Sequence, residues 1–265
     1  MHKYNYYLFD LDRTLWDFDK NAKSAIFKLL DKYSLSALLK IHNKEDFFIR
    51  YEEINHRLWN NYEAGKITKE YLRSARFYET FITYRNGDAD CDNCKMQEFS
   101  IEFGEAYLNQ MTYETALEPH AKEVLSALKN NGAKIAVVTN GFKEVQYRKL
   151  TNSNLMGFID AVIISEEVGM HKPNPQIFQK ALEAICPPGE YATNRTQLKQ
   201  SSLMIGDDFA NDIEGAQIFG IDQFYYNPHH KPCDGGPTYE SDTLLDLFNH
   251  NSNIHSPKPA SCSDL

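Results

Sequence analysis

Apolar positions follow two rhythms along the chain, and the change between them divides it. Residues 6–9, Tyr-Tyr-Leu-Phe, form a continuous apolar run that stops at Asp10-Leu11-Asp12, a pattern that predicts a buried strand opening into a loop. From about residue 16 to 118 apolar residues recur three and four apart, as in Ala22, Ala25, Ile26, Leu29, Leu30 and in Phe47, Tyr51, Ile54, Leu58, Tyr62. That spacing puts them on one face of each helix. Tyr71, Leu72, Ala75, Tyr78 and Ile82, then Phe99, Phe103, Ala106 and Tyr107, continue it, so the stretch reads as a bundle of about four helices joined at residues 63–68 and 86–95. Its aromatic stripes read as bundle core rather than as a ligand cage.

From Pro119 onward helix and strand patterns alternate, which implies parallel strands joined by crossovers. Strands are expected at 134–138, 161–165, 202–206 and 223–226. Helices are expected at 121–131, stopped by Gly132; at 142–153; at 175–185, opened by Asn174-Pro175; and at 211–219. Residues 187–200 read as a polar loop. The tail from Asn249 is rich in Asn, Ser, Pro and His without periodicity and is expected to be disordered. The predicted architecture is α/β: a doubly wound, Rossmann-like parallel sheet from residues 1–15 and 119–248, interrupted by an all-helical insertion at 16–118 and followed by the 249–265 tail.

Composition narrows the function more than the fold. Of 265 residues, 42% are hydrophobic and 25% charged, and the net charge is −9, a balance that disfavours a nucleic acid polymer as partner because such binding needs clustered Lys and Arg. No apolar run approaches the roughly 20 residues of a membrane span, and no basic and then hydrophobic leader opens the chain. A cytoplasmic protein without a membrane partner is the expectation. Cys91, Cys94, Cys186, Cys233 and Cys262 are odd in number and scattered, as expected of reduced thiols. The lone Cys91-Asp92-Asn93-Cys94 lacks the second pair or His partner that a zinc site would want.

Chemistry gathers at the strand ends: Asp10 and Asp12 after the first, Thr139-Asn140-Gly141 after the second, Lys172 beyond the third and Asp207-Asp208 after the fourth. In an open parallel sheet these ends face one crevice. Asp10 and Asp12 fall on one side of an extended chain; a strand-terminating turn and cap is the lesser alternative for them. Converging carboxylates repel and take up protons unless a cation neutralises them, and Mg²⁺ suits an all-oxygen site that also holds phosphate. Lys172 and Thr139 would complement anionic oxygens. Asp208 and Asn211 also read as caps of the following helix.

Asp10-Leu11-Asp12-Arg13-Thr14, Thr139-Asn140-Gly141, Lys172-Pro173 and Gly206-Asp207-Asp208-Phe209-Ala210-Asn211-Asp212, in that order, resemble the four motifs of the haloacid dehalogenase superfamily. The insertion after the first motif is similar to that superfamily's helical cap. Thr139-Asn140-Gly141-Phe142 and Ile164-Ser165-Glu166-Glu167-Val168-Gly169 ahead of Lys172-Pro173-Asn174-Pro175 resemble its pyrimidine 5'-nucleotidase subgroup. The resemblance implies Asp10 as nucleophile, Asp12 as proton donor and then base, and Thr14 as a support that orients Asp12. It implies phosphate binding by Thr139, Asn140 and Lys172, and Mg²⁺ bound by Asp10, the Asp12 backbone carbonyl and Asp207, with Asp208 or Asp212 supporting them from behind.

The expected substrate is therefore a small-molecule phosphate ester, with a nucleoside 5'-monophosphate first. A sugar phosphate or sialic acid phosphate, or a phosphomutase reaction, is the alternative on the same residues. A receiver-like signalling domain also uses a strand-end Asp and Mg²⁺, but lacks the acid two residues on. Lys66, Arg73 and Arg76 are candidates for substrate choice in the helical insertion, or simply solvated charges.

Overall fold

The computed structural model describes residues 3–84, 93–233 and 235–249. Cys91, most of the expected 86–95 connection and the tail beyond 249 lie outside the described residues. Two compact units are present, Met1–Phe18 with Thr115–Leu265, and Asp19–Glu114. The division falls within a few residues of the change in rhythm.

In chain order, β1 (Tyr6–Phe9) leads into α1 (Phe18–Lys32), the single-turn α2 (Leu35–Leu38), α3 (Lys44–Glu63), α4 (Lys69–Thr83) and α5 (Asn93–Met111). Then follow α6 (Ala121–Asn130), β2 (Lys134–Thr139), α7 (Lys143–Asn152), β3 (Ala161–Ile164), the one-turn α8 (Ser165–Val168), α9 (Pro175–Ile185), α10 (Glu190–Gln200) and β4 (Ser202–Gly206). A π-type turn at Phe209–Glu214 runs into α11 (Gly215–Phe219), and β5 (Asp222–Tyr226) and β6 (Tyr239–Ser241) complete the sheet.

The six strands are all parallel, in the order β3-β2-β1-β4-β5-β6. Leu8, Ala136, Val138 and Met204 pack with Ile177, Phe178, Ala181 and Leu182 of α9 and Phe219 of α11 in one apolar cluster. Tyr7, Phe9, Ile135, Val137, Leu203 and Ile205 alternate with them and are just as buried. Burial of both faces is why these strands read as unbroken apolar runs. After β3 the chain returns to the other side of β1, so the order of strand addition reverses between β1 and β4, where doubly wound sheets open a crevice at the strand ends.

The helical unit is held by rings. Phe77 lies 5.1 Å from Tyr51, 4.9 Å from Phe103 and 5.1 Å from Tyr107, centroid to centroid. These aromatics are buried against one another, as core and not as a cage. Asn43 and Thr68 start α3 and α4 by accepting from Glu45 N and Tyr71 N. Arg76 is buried, with Nη1 donating to Asn55 Oδ1, whereas Lys66 is exposed.

Within the sheet unit, the two segments that border the insertion pair with each other: Trp16 bridges antiparallel to Leu117, and Glu118 N donates to Leu15 O.

Two expectations need correction. Residues 190–200 are helical rather than loop; only Tyr191 and Leu198 of α10 are buried and Asn194 leaves helical geometry, so too few apolar side chains mark the period. The edge strand β6, at three half-exposed residues, is too short to register as a pattern. No helix among the described residues is long and apolar enough to cross a membrane, and no disulfide forms among them.

Candidate active site

Parallel register brings the four motifs level. Phe9 stands between Val137 of β2 and Ile205 of β4, and Asp10 N donates to Ile205 O at 2.9 Å. Beyond Asp10 the chain folds back at once: Leu11 O accepts from Leu15 N and Trp16 N, and Arg13 takes a left-handed φ of 66°.

Asp10, Asp207 and Asp212 bring carboxylate oxygens within 4.8 Å of one another. Asp212 lies inside the π-type turn, and its Oδ2 accepts from Asp208 N, just past the end of β4, at 3.2 Å. Lys172, only 3% exposed, reaches in between, with Nζ 2.5 Å from Asp10 Oδ1 and 2.6 Å from Asp212 Oδ1. Asn140 holds the loop that delivers it: Lys172 N donates to Asn140 Oδ1 at 2.8 Å, and Asn140 Nδ2 donates to Lys172 O at 3.1 Å. Lys231 approaches Asp207 from the loop after β5, at 3.7 Å.

Burial dominates the titration here. It raises the Asp10 and Asp212 carboxyls above their ordinary values, with Lys172 opposing. Asp207 is pushed up to about 7, first by burial and then by the Asp10 charge, against Arg13 and Lys231. For Lys172, burial favours the neutral amine, but the charges of Asp10 and Asp212 outweigh it and hold the ammonium above its usual range. Three crowded carboxylates, two of them paired with Lys172, are an acid-rich, all-oxygen donor set of the kind a hard divalent cation neutralises.

Asp12 has different partners. Its Oδ1 lies 2.7 Å from Lys149 Nζ, and its Oδ2 accepts from Gln146 Nε2 at 2.8 Å. The same Gln146 amide donates to Thr139 Oγ1 at 2.7 Å. Thr14 is fully buried, and its Oγ1 finds no hydrogen-bond partner among the described residues; here Gln146 and Lys149 hold the Asp12 side chain.

Asp10, Asp12, Thr139, Asn140, Lys172, Asp207 and Asp212 are thus brought together. Asp208 is exposed and turned away, its carboxylate accepting from Asn211 N and Asn211 Nδ2 as a cap. Gln146 and Lys149 are the residues that sequence reasoning missed. Their one signal is a Lys and a Gln three apart on a helix that follows a strand-end Thr.

A family model described as haloacid dehalogenase-like hydrolase matches residues 4–220. The chain is 32% identical over 247 residues to the pyrimidine 5'-nucleotidase YjjG of Escherichia coli, covering 92% of this chain and 96% of that protein. It is 30% identical over 247 residues to the pyrimidine 5'-nucleotidase PynA of Streptococcus pneumoniae, covering 92% and 94%. Among solved structures, the HAD-hydrolase YfnB of Bacillus subtilis bound to magnesium aligns with a TM-score of 0.74 at 27% identity, over 93% of this chain and 98% of that one. Motif order, sheet topology and these likenesses agree: the chain belongs to the haloacid dehalogenase-like hydrolase family.

Proposed function

We propose that this protein is a phosphatase that hydrolyses small phosphomonoesters through an aspartyl-phosphate on Asp10, with pyrimidine nucleoside 5'-monophosphates as the preferred class. The observation that carries the reading is the separation of two carboxylates into different environments. Asp10 sits with Lys172 in the acidic cluster, and Asp12 is held by Gln146 and Lys149. One acid is thereby free to meet phosphorus while the other handles the proton, a division that a dehalogenase, with no leaving oxygen to protonate, does not need.

In the first step a carboxylate oxygen of Asp10 forms a bond to phosphorus as the ester P–O bond breaks. The departing oxygen keeps the electron pair and takes a proton from Asp12. In the second, Asp12 accepts a proton from water as the water oxygen bonds to phosphorus and Asp10 departs. An ammonium has three donors, and Lys172 directs two at Asp10 and Asp212; the third serves a phosphoryl oxygen. The Thr139 hydroxyl and the Asn140 backbone amide serve the others. Asp10, Asp207 and Asp212, with the Asp12 backbone carbonyl, would hold Mg²⁺, which when bound supplies positive charge to the phosphoryl oxygens. We assign the inserted helices, residues 16–118, the role of a cap that selects the leaving group. The names of the two nucleotidases to which the chain is similar support the nucleotide class.

The test compares phosphate release from dUMP, dTMP and UMP with release from hexose phosphates, in the presence of MgCl₂. Turnover favouring the pyrimidine nucleotides, lost in Asp10→Asn with the fold retained, is the expected result. A preference for hexose phosphates would overturn the nucleotide class, and robust turnover by Asp10→Asn would overturn the nucleophile.

A further inference from the structure

We propose that Gln146 and Lys149, one turn apart on α7, are the positioning residues that set Asp12 for proton transfer, an inference that rests on the phosphatase reading above. Both are buried, at 1% and 3% exposure. Residues three apart on a helix share a face, and here that face presents one donor to each oxygen of a single carboxylate, at 2.7 Å and 2.8 Å. Two donors on two oxygens fix the plane of the carboxylate as well as its place. Each oxygen keeps a second lone pair for the proton in transit.

Three features indicate that the arrangement is built and not incidental. First, a Cβ on Gly141 would lie 2.3 Å from Gln146 Nε2, so the glycine of the second motif is what leaves room for the amide. Second, that amide donates its two hydrogens to Asp12 Oδ2 and Thr139 Oγ1, coupling the proton-transfer carboxylate to a phosphate-side hydroxyl through one rigid group. Third, Lys149 Nζ lies 4.2 Å from the centre of the Trp16 ring and 5.5 Å from that of Phe18. Aromatic faces steady a cation without offering it a second acceptor, so the ammonium is directed at Asp12.

A merely structural ion pair is the competing account. Removing one partner of a buried ion pair destabilises a fold whatever the pair's role, so a comparison of two substrates, and not the size of the loss, separates the two accounts. The enzyme with MgCl₂ is assayed on phenyl phosphate, whose leaving group needs a proton, and on 2,4-dinitrophenyl phosphate, whose leaving group does not. The value of kcat/KM reports the first step alone. Lys149→Met is expected to lower kcat/KM for phenyl phosphate by about 100-fold while changing that for the dinitrophenyl ester by no more than about threefold. Gln146→Met should show the same contrast at about tenfold, and Lys149→Arg should restore much of the loss.

Because Asp12 is also the base of the second step, Lys149→Met should release a burst of dinitrophenol ahead of slow turnover. Equal losses on both esters, or no loss on either, would overturn the inference while the phosphatase reading stands. A wild-type enzyme inert towards both esters and towards dUMP, dTMP and UMP would overturn that reading and the inference with it. Should Lys149→Met not fold, Gln146→Met, which removes no charge, decides the question by the same contrast.

Discussion

The carboxylate of Asp212 fills the space that a side chain on Gly206 would occupy: a Cβ built there lies 2.2 Å from Asp212 Oδ2. Asp212 is fully buried and pairs with Lys172, so it cannot swing out without breaking a buried ion pair. Gly206→Ala is therefore expected to cost about 1 to 3 kcal/mol of stability and to lose most phosphatase activity, because displacing Asp212 disturbs both the cluster and Lys172. Urea denaturation alongside a phosphate-release assay checks this. A fully active, fully stable alanine variant would show that the carboxylate has another place to go.

Lys172 is the cation that two buried carboxylates share. Lys172→Met leaves Asp10 and Asp212 buried without it, and removing one partner of a buried pair costs about 3 to 5 kcal/mol. The sign with pH follows from the shifts. Burial already raises both carboxyls, so acid neutralises them in the variant and relieves the repulsion. The stability penalty should be larger at about pH 8 than at about pH 5, and denaturation at the two values measures it. An equal penalty at both would mean that the carboxylates are not the groups Lys172 serves.

As a proposed Mg²⁺ ligand, Asp207 ties stability, metal and pH together. Its carboxyl is pushed up to about 7 by burial and by Asp10, against an unfolded value near about 4. With the folded value raised, its contribution to metal-free stability is full below about 4 and is lost as pH rises through about 7. Mg²⁺ needs the ionised form, so its apparent affinity should climb by up to about tenfold per pH unit below about 7 and level off above. The rise in Tm on adding MgCl₂ should accordingly be larger at about pH 8 than at about pH 6, and Asp207→Asn should shrink it at both. A magnesium shift independent of pH would remove Asp207 from the ligand set.

How much of this was legible in the chain depended on where each residue's signal lies. Asp10, Thr139 and Asp207 stand just past apolar runs, and a parallel sheet carries such positions to one edge whatever the loops do; Lys172 lies in a loop beyond β3, which Asn140 holds. The helical insertion was legible because its cores repeat at helical spacing over four long helices, α1 and α3 to α5. Gln146 and Lys149 were not. On paper α7 is a polar helix, and a buried Lys looks the same there as a solvated one; only packing shows that its amine meets Asp12 instead of water. The division of labour between Asp208 and Asp212 was hidden for a related reason. It depends on the π-type winding of 209–214, which no apolar period announces.

Gly104 sets two opposed effects against each other in the helical unit. An alanine in a helix interior is favoured over glycine by about 1 kcal/mol, so Gly104→Ala in α5 would stabilise an isolated helix. In the folded unit, however, a Cβ on Gly104 would lie 2.5 Å from the backbone oxygen of Arg73 and 3.3 Å from its carbonyl carbon. Backbone cannot rotate aside as a flexible side chain can, so α4 and α5 must move apart, loosening the contacts of Phe77 with Phe103 and Tyr107. Overpacking of this kind costs about 1 to 3 kcal/mol and should outweigh the propensity gain. Thermal unfolding of Gly104→Ala is expected to show a lower Tm than wild type, and a higher one would mean that the two helices do not meet at this glycine.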